Sequence, residues 1–156
     1  MVEVGKKVKD FTLVDAYGNK HSLSDYLGKK VVVYIYPKND TPGCTAQACS
    51  FRDDYEEYQG KGITVLGISK DDQESHLKFK DKYNLPFVTL SDPDLEVINY
   101  FGAYGEKSMY GKPYMGVLRQ TFIINEEGIL THILDKVDAK NNANDVLDII
   151  EKEELK

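Results

Sequence analysis

The chain holds two cysteines, Cys44 and Cys49, and no others. They close the stretch PKNDTPGCTAQAC, residues 37–49. A cysteine reacts as its thiolate, the form that attacks electrophiles and binds metals. Thr41 and Pro42 read as helix-start residues, the threonine as a cap through its hydroxyl and the proline at the first helical position. Gly43 keeps the backbone open to close approach. Cys44 then falls in the first helical turn, where free amides and the helix dipole favour negative charge and a thiolate forms more readily. The competing reading is a buried cysteine serving as a small apolar residue.

Cys49 lies five residues on, inside the same expected helix. An intact helix sets the two Cα atoms roughly 8–9 Å apart on different faces. A disulfide needs about 4.4–6.8 Å. The pair can bond only if the first turn or two unwinds. Two cysteines close in sequence but kept apart by structure suit a switch, in which one thiol reacts and the second resolves the product. Coincidence, with Cys49 packed on the core, stays open. Zinc fits poorly, since a structural site needs four ligands and the C-x4-C spacing has no second pair. His21, His76 and His132 are scattered without H-x3-5-H spacing and read as surface or satisfied histidines. A C-x-x-C dithiol motif is absent.

Arg119 is the third element. In VLRQTFII, residues 117–124, alternation puts Leu118, Gln120, Phe122 and Ile124 on one face and Arg119, Thr121 and Ile123 on the other. A guanidinium in an apolar strand needs an anion or an outlet to water. It is either a rim arginine paired with one of 26 acidic residues, or a cation set beside a thiolate.

These residues need a scaffold. Short strand-like pieces lie near Phe11–Val14 and His21–Leu23. VVVYIY, residues 31–36, reads as a strand buried on both faces and ended by Pro37. From Cys44 to Gly60 the pattern is helical, with Ala48, Phe51, Tyr55 and Tyr58 at three- and four-residue steps. ITVLGIS, 63–69, is a second buried strand. A helix over 72–83 follows, capped by Asp71 or Asp72. Phe87–Leu90 reads as a strand and Asp94–Phe101 as a short helix. Residues 117–124 and 129–134 form a hairpin around Asn125–Gly128. Ala143, Val146, Leu147 and Ile150 mark a last helix. The order implies an α/β fold, a central mixed β-sheet flanked by helices.

With 156 residues and no repeat or linker, the expectation is one domain, residues 1–156. Apolar residues at 41% and charged residues at 29% fit a globular chain. A formal charge of −6 argues against nucleic-acid or anionic-membrane partners, which need a basic face. No apolar run suggests a secretory signal or a membrane span, so a cytoplasmic location is expected. In a reducing compartment a cysteine pair is more often catalytic or metal-binding than structural.

The stretch YPKNDTPGCTAQAC resembles the peroxiredoxins, in particular the peroxiredoxin Q or bacterioferritin comigratory protein group. Their P-x-x-x-T-x-x-C pattern is met by Pro37, Thr41 and Cys44, with Cys49 at the group's frequent second-cysteine position. The family's strand arginine resembles Arg119. The similarity continues through VLGISKDD, LPFVTLSDPD, FGAYGEKSMYGKPYMG and RQTFIINEEG. It implies a thioredoxin-like fold and a thiol-dependent peroxidase acting on hydrogen peroxide and organic hydroperoxides. By resemblance Cys44 is the peroxidatic cysteine and Cys49 the resolving one, joined in an intramolecular disulfide. Thioredoxin or a similar dithiol donor would reduce it. Thr41 and Arg119 would hydrogen-bond the sulfur and peroxide oxygens, and Pro37 would shape the pocket. No cofactor or metal is implied, and the group is often monomeric.

From the residues themselves, a redox sensor using the same disulfide and a non-redox interaction module stay open. Tyr36, Tyr110 and Tyr114 read as core or rim aromatics. The glycine-rich stretch 101–116 lacks a phosphate-loop pattern and reads as a loop folded near the pocket. Arg52 reads as paired with a nearby acid.

Overall fold

A computed structural model describes residues 1–155. The elements run β1 (Thr12–Asp15), β2 (Lys20–Ser22), β3 (Lys30–Ile35), α1 (Pro42–Asp53), α2 (Tyr55–Gly60), β4 (Ile63–Ser69), α3 (Gln73–Tyr83), β5 (Val88–Ser91), α4 (Glu96–Tyr100), β6 (Tyr104–Met109), β7 (Lys112–Val117), β8 (Gln120–Ile124), β9 (Leu130–Leu134) and α5 (Asn142–Glu154). Seven strands form one sheet in the order β2-β1-β5-β4-β3-β8-β9, while β6 and β7 pair apart from it. The neighbours β3–β4 and β4–β5 are parallel, whereas β1–β5 and β3–β8 are antiparallel. The sheet is therefore mixed, as the sequence implies.

The β-branched and aromatic run makes β3 the centre. Val32, Tyr34 and Tyr36 point into a cluster with Phe51, Phe79 and Val146, from α1, α3 and α5. Val31, Val33 and Ile35 point the other way, against Val97 and Ile98 of α4. Burying each such side chain stabilises the fold by about 1.5–3 kcal/mol. Ala143, Val146, Leu147 and Ile150 are all buried, so the expected stripe seats α5 on the sheet. Asp72 caps α3 by accepting a hydrogen bond from the Ser75 amide. Among the described residues no helix is long and apolar enough to cross a membrane.

Three expectations need correction. The helix over 44–60 is two helices, because Asp54 sits at φ −97°, ψ 5° and interrupts the α ladder. The break lets Tyr58 turn inward, where its hydroxyl donates to Ala143 O at 2.7 Å. Residues 101–116 are mostly not a loop but the β6–β7 hairpin. Its two-residue turn, Tyr110-Gly111, has both φ angles positive, at 52° and 79°, which matches the twist of a tight hairpin. Finally, Val117 belongs to β7, and Leu118 and Arg119 lie between β7 and β8 rather than inside a strand. Alternation still holds beyond them, with Ile123 on the α1 side and Phe122 and Ile124 on the α4 side.

Gly67 of β4 is paired with Tyr34. A Cβ there would lie 2.8 Å from the Tyr34 Cζ and hydroxyl. The ring is stacked on Phe51 at 4.7 Å between centroids, so it has no free direction to move. Gly67→Ala is therefore expected to cost about 1–3 kcal/mol of unfolding free energy by overpacking. Urea denaturation reads this directly, and unchanged stability would show that the ring yields freely.

Candidate active site

β3 delivers the chain to the carboxyl edge of the sheet, where open α/β sheets place their sites. Pro37 follows, half-buried. The next turn is tied down by polar groups. Tyr36 Oη donates to Asn39 Oδ1 at 2.5 Å. The Asn39 amide donates to Asp71 Oδ2 at 2.8 Å, and its side-chain nitrogen to Ser75 Oγ at 3.2 Å. Asp40 takes a left-handed φ of 59°, and its carboxylate meets Lys82 Nζ at 2.8 Å and the Tyr83 hydroxyl at 3.0 Å. These contacts fix where α1 begins.

Thr41 is the residue before α1, and its carbonyl accepts the first helical bond, from the Thr45 amide at 2.8 Å. Its hydroxyl does not cap the helix as expected. It donates to Lys38 O at 2.9 Å, because the side chain faces back over the preceding turn. The amides of Gly43 and Cys44 precede the first helical bond, so the helix itself gives them no acceptor. Pro42 occupies the start of the helix as anticipated.

Cys44 is 1% exposed and packs with Ala48, Phe51 and Tyr36. It is nonetheless not surrounded only by hydrocarbon. Arg119 Nη2 donates to Cys44 Sγ at 3.3 Å, across 75 residues of chain. Arg119 Nη1 donates to Gln47 Oε1 at 2.6 Å. A Cβ at residue 43 would lie 3.0 Å from Arg119 Nη2, so Gly43 leaves the guanidinium room beside the sulfur. Lys107 lies on the neighbouring hairpin, its Nζ donating to Val117 O at 2.9 Å. Burial and the Arg119 guanidinium lower its ammonium below the ordinary lysine value, while Cys44 acts in the opposite direction. Arg119 is thus placed to answer a negative charge on this sulfur. A buried negative sulfur would otherwise carry a large desolvation cost.

The structure brings Cys44 and Arg119 into contact, sets Thr41 just ahead of the same helix start and Pro37 at the end of the preceding strand. It does not join Cys44 to Cys49. Both thiols are free, Cys49 half-buried further along α1. Tyr36 belongs to the core and Tyr110 is 97% exposed at the hairpin tip. Arg52 meets Asp53 at 3.1 Å and the Tyr83 carbonyl at 2.9 Å. Among the described residues no group of three or more His, Cys, Asp or Glu is placed to hold a metal ion.

Sequence reasoning missed Gln47 and Asn142. Gln47 is wholly buried, and its Nε2 donates to Asn142 Oδ1 at 2.8 Å. The same oxygen accepts from Thr121 Oγ1 at 2.9 Å. A signal existed for Gln47, a polar residue three positions after Cys44 and so on its helical face. Nothing local marked Asn142.

The comparisons with known proteins place the family. Residues 4–133 match the AhpC/TSA family. The peroxiredoxin Bcp of Bacillus subtilis is 42% identical over 146 residues, 94% of this chain and 93% of that protein. A Xanthomonas campestris bacterioferritin comigratory protein, studied for alkyl peroxide reduction, superposes with a TM-score of 0.86 at 32% identity over 92% of this chain and 91% of its own. A mutant of Xylella fastidiosa PrxQ gives a TM-score of 0.92 at 27% identity over 98% of both chains. The chain belongs to the AhpC/TSA family and, within it, to the peroxiredoxin Q/Bcp group. Its fold is thioredoxin-like, and it is a thiol-dependent peroxidase.

His76 ties the loop anchor to the core, with Nε2 3.1 Å from Ser69 Oγ and Nδ1 3.4 Å from the Tyr36 hydroxyl. Burial pushes its imidazole from 6.5 down to about 4, while Asp71 and Asp72 act in the opposite direction. The unfolded chain therefore takes up the proton first. Stability falls as pH drops below 6.5 and this loss is complete below about 4. The full effect is about 3 kcal/mol. His76→Gln should flatten the slope of unfolding free energy across that range, and equal slopes in the two proteins would show that His76 is not its source.

Proposed function

We propose that Cys44 is the peroxidatic residue, that Cys49 resolves it, and that Thr41, Arg119 and Pro37 form the pocket that activates a hydroperoxide. The observation that supports this most is the guanidinium of Arg119 3.3 Å from a sulfur at the start of the helix that also carries Cys49. The anionic sulfur attacks the terminal oxygen of the hydroperoxide. The O–O bond breaks, the leaving oxygen takes a proton to depart as water or an alcohol, and Cys44 becomes a sulfenic acid. Negative charge grows on the leaving oxygen. The helix-start amides and Arg119 are donors fixed in advance for that charge, the arrangement that lowers such barriers most. Because the Thr41 hydrogen is engaged with Lys38 O, its oxygen presents lone pairs, suited to accept the O–H of the hydroperoxide.

Cys49 then attacks the sulfenic sulfur, forming the disulfide and releasing water. With Cys44 1% exposed, a protein reductant acts after the helix opens. We take that reductant to be thioredoxin or a similar dithiol, the substrates to include organic hydroperoxides, and residues 1–156 to act as one domain. We take the protein to be a monomer in the cytoplasm, and its net charge of −6 argues against nucleic-acid and anionic-membrane partners.

Steady-state peroxide consumption with a dithiol reductant tests the assignment. Cys44→Ser is expected to abolish it. With no reductant present, Cys49→Ser is expected to consume one equivalent and stop at a sulfenic acid, which an added small-molecule thiol then reduces. Full activity in Cys44→Ser would sink the assignment. Arg119→Ala should slow the attack on peroxide by about 100-fold or more. A change within a factor of two, measured by stopped flow, would remove Arg119 from the chemistry.

A further inference from the structure

Three polar residues bind the first turns of α1 to the start of α5. Gln47 lies between the two cysteines, so forming their bond requires Gln47 to leave its place. Its side-chain amide is engaged at both ends, accepting from Arg119 Nη1 at 2.6 Å and donating to Asn142 Oδ1 at 2.8 Å. Asn142 is 1% exposed and is held in turn by Thr121 Oγ1 at 2.9 Å. Ser50, just past Cys49, supplies a second tie. Its hydroxyl donates to Gln47 O at 2.7 Å and accepts from the Ala143 amide at 3.4 Å. The far side of this contact is stiff, because Ala143, Val146, Leu147 and Ile150 are buried against the sheet.

We propose that Asn142 and Ser50 are a latch holding α1 wound between Cys44 and Cys49, and so set how fast the disulfide forms after Cys44 is oxidised. This rests on the assignment of those two cysteines as the reacting pair. The latch works through Gln47, which makes the two halves of the cycle exclusive. While Gln47 is seated, it orients Arg119 onto the sulfur and keeps Cys49 away. When α1 unwinds, Arg119 loses Cys44 and Gln47 together, and the pocket for peroxide is dismantled as the second sulfur arrives. The closing step is the attack of Cys49 sulfur on Cys44–SOH, which forms the S–S bond and expels the sulfenic oxygen as water. Its rate carries the probability that the helix is open, and each latch bond lowers that probability. A slow step also lengthens the life of the sulfenic acid, which a second peroxide then converts to sulfinic acid.

Asn142 and Ser50 are positioning residues, and local amide exchange tests them without relying on any reaction. In the reduced protein, residues 45–49 of Ser50→Ala are expected to exchange about fivefold faster than in the unmutated chain, the effect of losing one buried hydrogen bond. Residues of β3 should exchange as before, which a general loss of stability would not allow. Asn142→Ala should give a larger increase, since it also leaves Gln47 Nε2 and Thr121 Oγ1 without an acceptor. Because Asn142→Ala is the variant at risk of not folding, Ser50→Ala decides the matter, and unchanged exchange at 45–49 in Ser50→Ala overturns the latch. Rapid-quench mass spectrometry after a peroxide pulse should show the disulfide forming faster by the same factor in Ser50→Ala, with more peroxide needed to reach the sulfinic acid. Disulfide formation at the unmutated rate despite faster exchange also overturns it. Failure of the unmutated chain to form any Cys44–Cys49 bond overturns instead the assignment of the cysteine pair.

Discussion

A buried sulfur that is to react as a thiolate needs a partner for its charge, and the contacts around Cys44 supply one. The thiol is 1% exposed, yet one guanidinium nitrogen stands 3.3 Å away, and the residue belongs to the first turn of α1, where the helix gives its leading amides no acceptor. Gly43 gives that guanidinium room, since a Cβ there would lie 3.0 Å from Arg119 Nη2. Arg119 lies just outside β8, in the two residues where the chain leaves the β6–β7 hairpin, and so its side chain is free to cross to α1. The anchors of the preceding turn, through Asn39, Asp71 and Asp40, fix the helix start to which the sulfur belongs.

For the proposed pair to bond, the same helix must then open. A wound α1 keeps Cys44 and Cys49 roughly 8–9 Å apart, beyond the reach of a disulfide. Local opening of a turn or two costs less than global unfolding, and proteins draw their moving segments from such regions. Here the opening segment has little intrinsic commitment to staying wound. It is short, its cap hydroxyl is engaged elsewhere, and its hold on the core depends on Ala48, Phe51 and the polar ties to α5. Burial of Gln47 and Asn142 gives those ties strength, since breaking them exposes paired groups one at a time.

Much of this was legible in the residues. VVVYIY reads as a strand buried on both faces, and residues 31–35 lie in one, with Tyr36 buried just past its end. The position of Cys44 followed from Thr-Pro-Gly, and the split of Ile123 from Phe122 and Ile124 across β8 followed from alternation. Three things were not legible, each for a physical reason. The Arg119–Cys44 contact spans 75 residues and is set by strand order, which no local pattern encodes. The Gln47–Asn142 pair spans 95 residues and joins two helices whose apolar stripes say nothing about their polar edges. The β6–β7 hairpin turns at Tyr110, a residue that rarely takes a positive φ, so the usual Asn-Gly signal was missing.

The central claim is that Cys44 reacts in a wound helix beside Arg119 and meets Cys49 only once that helix opens. Intact-protein mass spectrometry of the reduced, unmutated chain after one equivalent of peroxide tests it most directly. The account requires a loss of two hydrogens, with residues 44 and 49 joined in a single peptide. A chain that keeps both thiols, or gains oxygen without ever forming that bond, would contradict it.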